Sequence, residues 1–195
     1  MVDAVDAVDA LVNRVSSPRL AGSVPADVLH EMVLAAARAP DHAQLKPYRF
    51  LAISGAGLDA LGELMVAARL ESEPSLAPEA IEKLRSKPSR APLIIVGIAS
   101  PQSHPKVPEI EQLLTAGIAL QNMSSLATAR GYGAMWRTGD MAYHRTVHRG
   151  LGLDTHEQIV GFLYVGEIEG RLKTVQPVLP ETLVSVWPKP SDRVR

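Results

Sequence analysis

The stretch QLLTAGIALQNMSSLATARGYGAMWRT, residues 112–138, decides how the chain is read. Its first eighteen residues, Gln112 to Ala129, carry no charged side chain. That length approaches a membrane span, but Thr115, Gln121, Asn122, Ser124, Ser125 and Thr128 would be costly in lipid. A helix buried in a core or an interface is the better reading. Extended back to Glu109, the helix covers about Glu109 to Arg130. Gly131 stands where a left-handed residue closes a helix, and Ala134 to Arg137 reads as a short strand. Two apolar runs lie on either side of this helix–glycine–strand unit, Leu93 to Ala99 and Ile159 to Val165. Both are rich in β-branched residues and suit strands buried on both faces. Helices covering such a sheet make an α+β fold.

Working toward the N-terminus, Val5, Val8, Leu11, Val12 and Val15 recur at helical spacing and predict a helix over Asp3 to Asn13. A second helix is predicted over Pro25 to Ala39, with Val28, Leu29, Met32, Val33 and Ala36 as its apolar stripe. Pro25 suits a first turn and Pro40 ends the helix. Phe50 to Ser54 reads as a strand and Leu58 to Leu70 as a helix. Pro74 to Ala91, polar and proline-punctuated with a short helix over Glu79 to Arg85, is the candidate for a mobile lid or insertion. Pro101 to Pro108 reads as a loop and Tyr143 to Gly150 as a helix closed by glycine. Arg171 to Arg195 holds four prolines and no helical period, so it reads as extended. Its Val178, Leu179, Leu183, Val184, Val186 and Trp187 favour a tail laid across another surface. No internal linker appears, so residues 1–195 read as a single domain.

Composition removes several function classes. The chain has 195 residues, 46% of them hydrophobic and 4% aromatic, so its core is built from Ala, Val, Leu and Ile. It has no cysteine, which rules out disulfides, thiolate metal sites and cysteine nucleophiles. A cytoplasmic location fits. Net charge is -1 with no basic block, which argues against nucleic-acid binding. Asp3, Asp6 and Asp9 precede the first basic residue, Arg14, unlike a secretory signal. His144 and His148 share a helix face at a spacing metal sites use, but Arg145 stands where a zinc-protease helix has glutamate. No Gly-x-Ser-x-Gly elbow and no phosphate-loop motif is present.

Four segments carry possible chemistry. Asn13 to Arg19 offers two arginines and two serines to a phosphate, but by itself reads more readily as a solvated helix end with a capping turn. Arg38 to Phe50 places polar groups between a helix and a strand, where loops commonly build sites. Gly131 to Thr138 has glycines that permit close approach of a ligand, without the third glycine of a dinucleotide fingerprint. Ile159 to Gly166, by itself, is a core strand.

In this order the four segments resemble the nitroreductase family, and in particular its small, single-domain bacterial NAD(P)H nitroreductases. The resemblance runs from Leu11 to about Pro180. It is carried by Arg-Ala-Pro-Asp-His (38–42) with Pro47 and Phe50, by Gly-Tyr-Gly-Ala-Met-Trp-Arg-Thr (131–138) and by Ile-Val-Gly-Phe-Leu-Tyr-Val-Gly (159–166). It implies a central mixed β-sheet flanked by helices. It also implies a homodimer formed through the long helix, with the C-terminal tail over the partner and FMN at the interface. By position it assigns Arg14, Val15 and Ser16 to the FMN phosphate and ribityl side. Arg38 and His42 reach the flavin from the other subunit, and Trp136, Arg137 and Thr138 complete the pocket. Leu126, Ala127, Thr128, Ala129, Arg130 and Gly131 match a segment assigned to the nicotinamide nucleotide. The chemistry implied is transfer of hydride from NAD(P)H through the flavin to a nitroaromatic, quinone or similar acceptor, with no side chain acting as nucleophile. A same-fold enzyme using reduced flavin for dehalogenation, dehydrogenation or cofactor fragmentation, a non-catalytic flavin-binding module, and a dimerisation domain that has lost FMN are the alternatives. The chain departs from the family at Val15, where a second arginine is usual, and at Lys46-Pro47-Tyr48, where Gln-Pro-Trp is usual. Lys46 either sits near the flavin edge or points to solvent.

Overall fold

A computed structural model describes residues 6–187. The elements are α1 (Ala7–Val12), β1 (Leu20–Ala21), α2 (Ala26–Ala36), β2 (Tyr48–Ser54), α3 (Ala56–Ser72), α4 (Pro78–Arg85), β3 (Leu93–Ala99), α5 (Glu109–Ala129), β4 (Gly133–Arg137), α6 (Arg145–Gly150) and β5 (Gln158–Ile168). The strands form one sheet in the order β1-β5-β3-β2, with β4 also paired to β5.

Strand alternation in β3 and β5 explains the layers. Ile94, Val96 and Ile98 face one side with Phe162 and Tyr164, against Leu58, Leu61 and Met65 of α3, Leu84 of α4 and Val147 of α6. Leu93 and Ile95 face the other side with Leu163 and Val165, against Met32 and Ala36 of α2 and Ala119, Leu120 and Met123 of α5. A sheet covered by helices on both faces needs the uninterrupted apolar strands found in the sequence. The helix over residues 109–130 is present and packed, with Gln112, Thr115 and Ser124 buried. Two of these side chains have partners: Gln112 bonds Gln102 and Val107, and Thr115 bonds the carbonyl of Pro40. Gly131, at φ +77°, closes the helix as expected, with Tyr132 N–H bonded to the Ala127 carbonyl at 2.8 Å.

Two expectations need correction. The resemblance implied a mixed sheet, but all four strand pairings among the described residues are antiparallel. A parallel neighbour would need a further extended segment, and residues 171–187 pair with no strand of their own chain. The predicted helix over Tyr143 to Gly150 is broken at His144, because extended backbone there separates a 3-10 turn, Asp140–Tyr143, from α6. The two-residue strand β1 was not foreseen; it is too short to show a period and exists through its pairing with Glu167 and Ile168. The first helix is described from Ala7, so Asp3 to Val5 lie outside the described residues. The Pro74 to Ala91 stretch is anchored: Leu84 is buried in the core and Gly62 of α3 lies against the Arg85 backbone.

One core irregularity matters for the site. Pairing of β3 with β5 passes from Gly97↔Gly161 to Ile98↔Ile159, so Val160 is an extra residue on β5. Such a bulge frees backbone groups from the ladder. The Val160 carbonyl accepts the indole N–H of Trp136 at 3.1 Å.

The loop before β5 is held to β2 by an ion pair. Arg49 reaches both carboxylate oxygens of Glu157, at 2.7 and 2.6 Å, and the Gly152 carbonyl at 3.0 Å. Glu157 also accepts the Asp154 N–H at 3.0 Å. The Arg49 hydrogen bonds, partly opposed by burial, hold the Glu157 carboxyl down at about 2, against an ordinary 4.5. Because the folded value is depressed, this stabilisation is complete above about pH 4.5 and is lost as pH falls from there toward 2. Glu157→Gln is expected to cost about 1.5 kcal/mol at neutral pH and to flatten the melting temperature against pH over that acid window. A variant whose curve simply parallels that of the wild type would show that the pair does not set the acid limb.

Candidate functional site

Ser16, Arg38, Arg137, Thr138, Leu126 and Arg130, among the residues singled out by sequence, line separate hollows of one chain. The first lies where the loop after α1 meets the end of β5. Ser17 is buried there and its N–H bonds the Ala134 carbonyl at 3.1 Å, tying the loop to β4. Ser16 and Arg19 line a hollow of about 300 Å3 together with Arg171 and Lys173. Arg14 and Val15 immediately precede it and are half-buried. Arg171 and Lys173 begin the stretch whose sequence reads as an extended tail, so the motifs do not pick them out. The available signal was two cations, two residues apart, directly after a buried strand.

The second hollow, of about 220 Å3, is built on β4 and the turn after α4. Arg137 and Thr138 line it with Lys87, Arg90, Phe162 and Tyr164. The Arg137 guanidinium lies 5.3 Å from the centre of the Tyr164 ring. Its Nε is buried and has no hydrogen-bond partner. Among the described residues, Lys87, Arg90 and Arg137 form no ion pair, and nearby Asp140 is taken by Arg69. Burial pushes the Tyr164 hydroxyl above its ordinary value, against the pull of Arg137 and Arg90. The hollow is therefore positive and has one donor waiting for an acceptor. Lys87 and Arg90 likewise belong to no motif, lying in the polar stretch whose sequence suggests a lid or insertion.

The third hollow, of about 660 Å3, is lined by Arg38, Asp41, Gln44, Lys46 and Tyr48. Its wall is a strained turn. Ala43, Gln44 and Lys46 have φ of 61°, 54° and 48°, left-handed values that cost a side-chain-bearing residue about 1–2 kcal/mol each. Asp41 holds the turn by accepting the N–H groups of Leu45 at 3.1 Å and Lys46 at 2.7 Å, and Gln102 donates to the Leu45 carbonyl at 3.0 Å. His42 sits on this turn, exposed, with Nδ1 2.8 Å from the Glu111 carboxylate of α5. Burial, then Asp41, raises the Tyr48 hydroxyl, while Arg38 lowers it.

The predicted nucleotide segment is the end of α5. Leu126 and Arg130 share an open hollow of about 630 Å3 with Glu31, Leu34 and Arg38. Ala127 is fully buried, and the Arg130 guanidinium is paired with Glu31. Trp136 is drawn into the α5 side of the sheet rather than into any of these hollows. His144 caps α6 through the Thr146 N–H, and His148 bonds the Ala142 carbonyl, so both serve the local structure. No group of three candidate metal ligands occurs among the described residues. No described helix is long and apolar enough to cross a membrane.

Comparison with known proteins covers most of this framework. Residues 20–167 match the model of the Nitroreductase family. The chain is 36% identical over 163 residues to a protein of Escherichia coli K12 provisionally named NAD(P)H nitroreductase YdjA, covering 83% of this chain and 88% of the relative. Among solved structures, a nitroreductase-like family protein from Bacillus cereus superposes with a TM-score of 0.82 at 21% identity, covering 95% of this chain and 98% of the other. A nitroreductase with bound FMN from Bacteroides fragilis gives 0.69 at 19% identity, covering 93% and 98%.

The seat of Trp136 is directly testable. A Cβ on Gly161 would lie 1.9 Å from the indole Nε1. Gly161→Ala should therefore expel the indole from the bulge and cost about 1–3 kcal/mol. In a Trp187→Phe background the emission of Trp136 should shift red while stability in urea falls. Unchanged emission would show that the indole is not seated against Gly161.

Proposed function

The chain belongs to the nitroreductase family, and on that premise we propose that it is an FMN-dependent NAD(P)H oxidoreductase, a cytoplasmic homodimer whose two flavin sites are each shared between subunits. The observation that carries the reading is the second hollow: three cations without acid partners around a buried, unsatisfied Arg137 Nε. A buried donor without a partner is unfavourable until an acceptor arrives. An FMN ring offers carbonyl and nitrogen acceptors and becomes anionic when reduced, so the group fits. Arg137, Thr138, Lys87 and Arg90 would hold the ring, and Trp136 would brace β4 behind it. Arg14, Ser16, Arg171 and Lys173 would hold the phosphate by charge-assisted hydrogen bonds, with Val15 limited to a backbone contact.

The shared site is supported by what one chain leaves open. Arg38 and His42 line or flank a different hollow from Arg137. Ile110, Leu114 and Ile118 form an exposed apolar stripe along α5. Burying that stripe against a second copy would be favourable, and would bring the Arg38–Lys46 turn of each subunit to the flavin of the other. The single-domain chain would end in a tail, from Arg171, packed on the partner, covering Leu183, Val184 and Trp187, which are exposed in one chain. Leu126 and Arg130, with the end of α5 through Gly131, would receive the nicotinamide nucleotide.

The reaction proposed is ping-pong. Bound FMN supplies two-electron hydride chemistry. NAD(P)H would give up hydride and leave as NAD(P)+, and a nitroaromatic, quinone or similar acceptor would then take its place. The cations around Arg137 favour the negative charge that reduction creates.

Flavin bands in the purified protein that bleach on anaerobic addition of NADPH or NADH, and return on adding a quinone, are expected. No bands after FMN is supplied would refute the reading. Arg14→Ala should weaken FMN binding about tenfold to a hundredfold, measured by fluorescence titration. Equal affinity would remove Arg14 from the phosphate site. Mixing Arg14→Ala with His42→Ala subunits should restore one intact site per heterodimer. A verified heterodimer without recovered activity would refute the shared arrangement.

A further inference from the structure

The strained turn and its tie to α5 have no adequate role in stability. Three side-chain-bearing residues in left-handed conformations are costly, and the His42–Glu111 contact they carry is exposed, at 55% and 46% of the two side chains. Exposed pairs of this kind add little to stability. Strain held by surrounding hydrogen bonds is instead a mark of sites where a group must be presented in one orientation. The group presented here is an imidazole.

Glu111 takes one of its two nitrogens. The carboxylate oxygen lies 2.8 Å from Nδ1, and a carboxylate can only accept, so Nδ1 carries the hydrogen. Nε2 is then the nitrogen that exchanges protons with whatever stands before it. Asp41 and Gln102 hold the backbone beneath, so the ring is fixed from both ends. The charged or titratable groups on the elements around it are Arg38, Asp41 and Lys46 beside its own turn, Glu109 and Glu111 on α5, and His104 and Lys106 on the loop before α5. Glu109 is bonded to Gln158.

We infer that His42 is the proton donor to the acceptor in the second half-reaction, with Glu111 as the positioning residue that fixes its tautomer. The inference rests on the flavin reading above, in which the His42 turn reaches the partner's site. The balance for a quinone is simple. Two electrons and one proton reach it as hydride from the reduced flavin, and the second proton comes from Nε2 of the His42 imidazolium, which keeps its Nδ1–H on Glu111 and is left as the neutral ring. The products are hydroquinone and oxidised flavin, and the imidazole regains its proton from water. A group delivering that proton at the moment of transfer typically contributes about 10²–10⁴ in rate.

Three measurements on the purified protein test this. Nitrogen-15 NMR of the histidine rings should show His42 protonated at Nδ1 in the wild type, moving to a mixture of tautomers in Glu111→Ala. In stopped-flow, His42→Gln should slow quinone reduction about a hundredfold more than reduction by NADPH and remove one ionisation from the pH profile. Added imidazole should rescue His42→Ala in proportion to its concentration. An unaltered tautomer in Glu111→Ala, or a His42→Gln profile of wild-type shape without rescue, would overturn the inference and leave the pair a surface tie. Failure of both nucleotides to reduce the flavin would instead refute the parent reading. Chemical reduction with dithionite before mixing with quinone would still test His42.

Discussion

Nearly every feature of this protein depends on satisfying one strand, β5, along both edges and both faces. It bonds β3 on one edge and β4 on the other, and its last two residues take up β1. Its faces alternate between two helical layers, so a slip by one residue would turn Phe162 and Tyr164 toward α5, and Leu163 and Val165 toward α3. The bulge at Val160 is the single place where that alternation is suspended. There the strand gives up a ladder position and receives an indole. Gly97 and Gly161, opposite one another, leave the room that Leu120 and Trp136 fill from the α5 side. The core and the site-bearing strand β4 are thus fixed by the same irregularity.

How much of this could be read in the sequence follows from what each segment needs. Apolar runs that are buried on both faces advertise themselves, and Leu93–Ala99 has the bounds read from its residues. The uncharged stretch of α5 was legible because a long helix without charge has few places to lie. Turns that depend on distant partners were not. The left-handed backbone at Ala43, Gln44 and Lys46 falls on residues that do not favour it, and only the Asp41 carboxylate and Gln102 explain it. The break at His144 is likewise set by capping rather than by pattern.

The candidate site shows the same division. Arg38, His42 and Arg137 were found through motifs, and each does border or flank a hollow. Lys87, Arg90, Arg171 and Lys173 belong to segments that look like connectors in one dimension. They come to line hollows only when β3 and β5 bring the turn after α4 over Tyr164, and the start of the tail beside Ser16. Charge that is scattered along a chain is hard to read as a field. Gathering Lys87, Arg90 and Arg137 around one hollow turns it into one.

The orphaned Nε of Arg137 ties folding to supply. A donor that finds its acceptor only in a bound ligand makes the folded state a partner in a mass-action equilibrium, so stability rises with the logarithm of free ligand. On the proposed reading that ligand is the cofactor itself. A chain made faster than flavin is available would spend longer in its less stable form, exposed to proteolysis. Its abundance in the cell would then follow the flavin pool even where its gene is expressed at a constant rate.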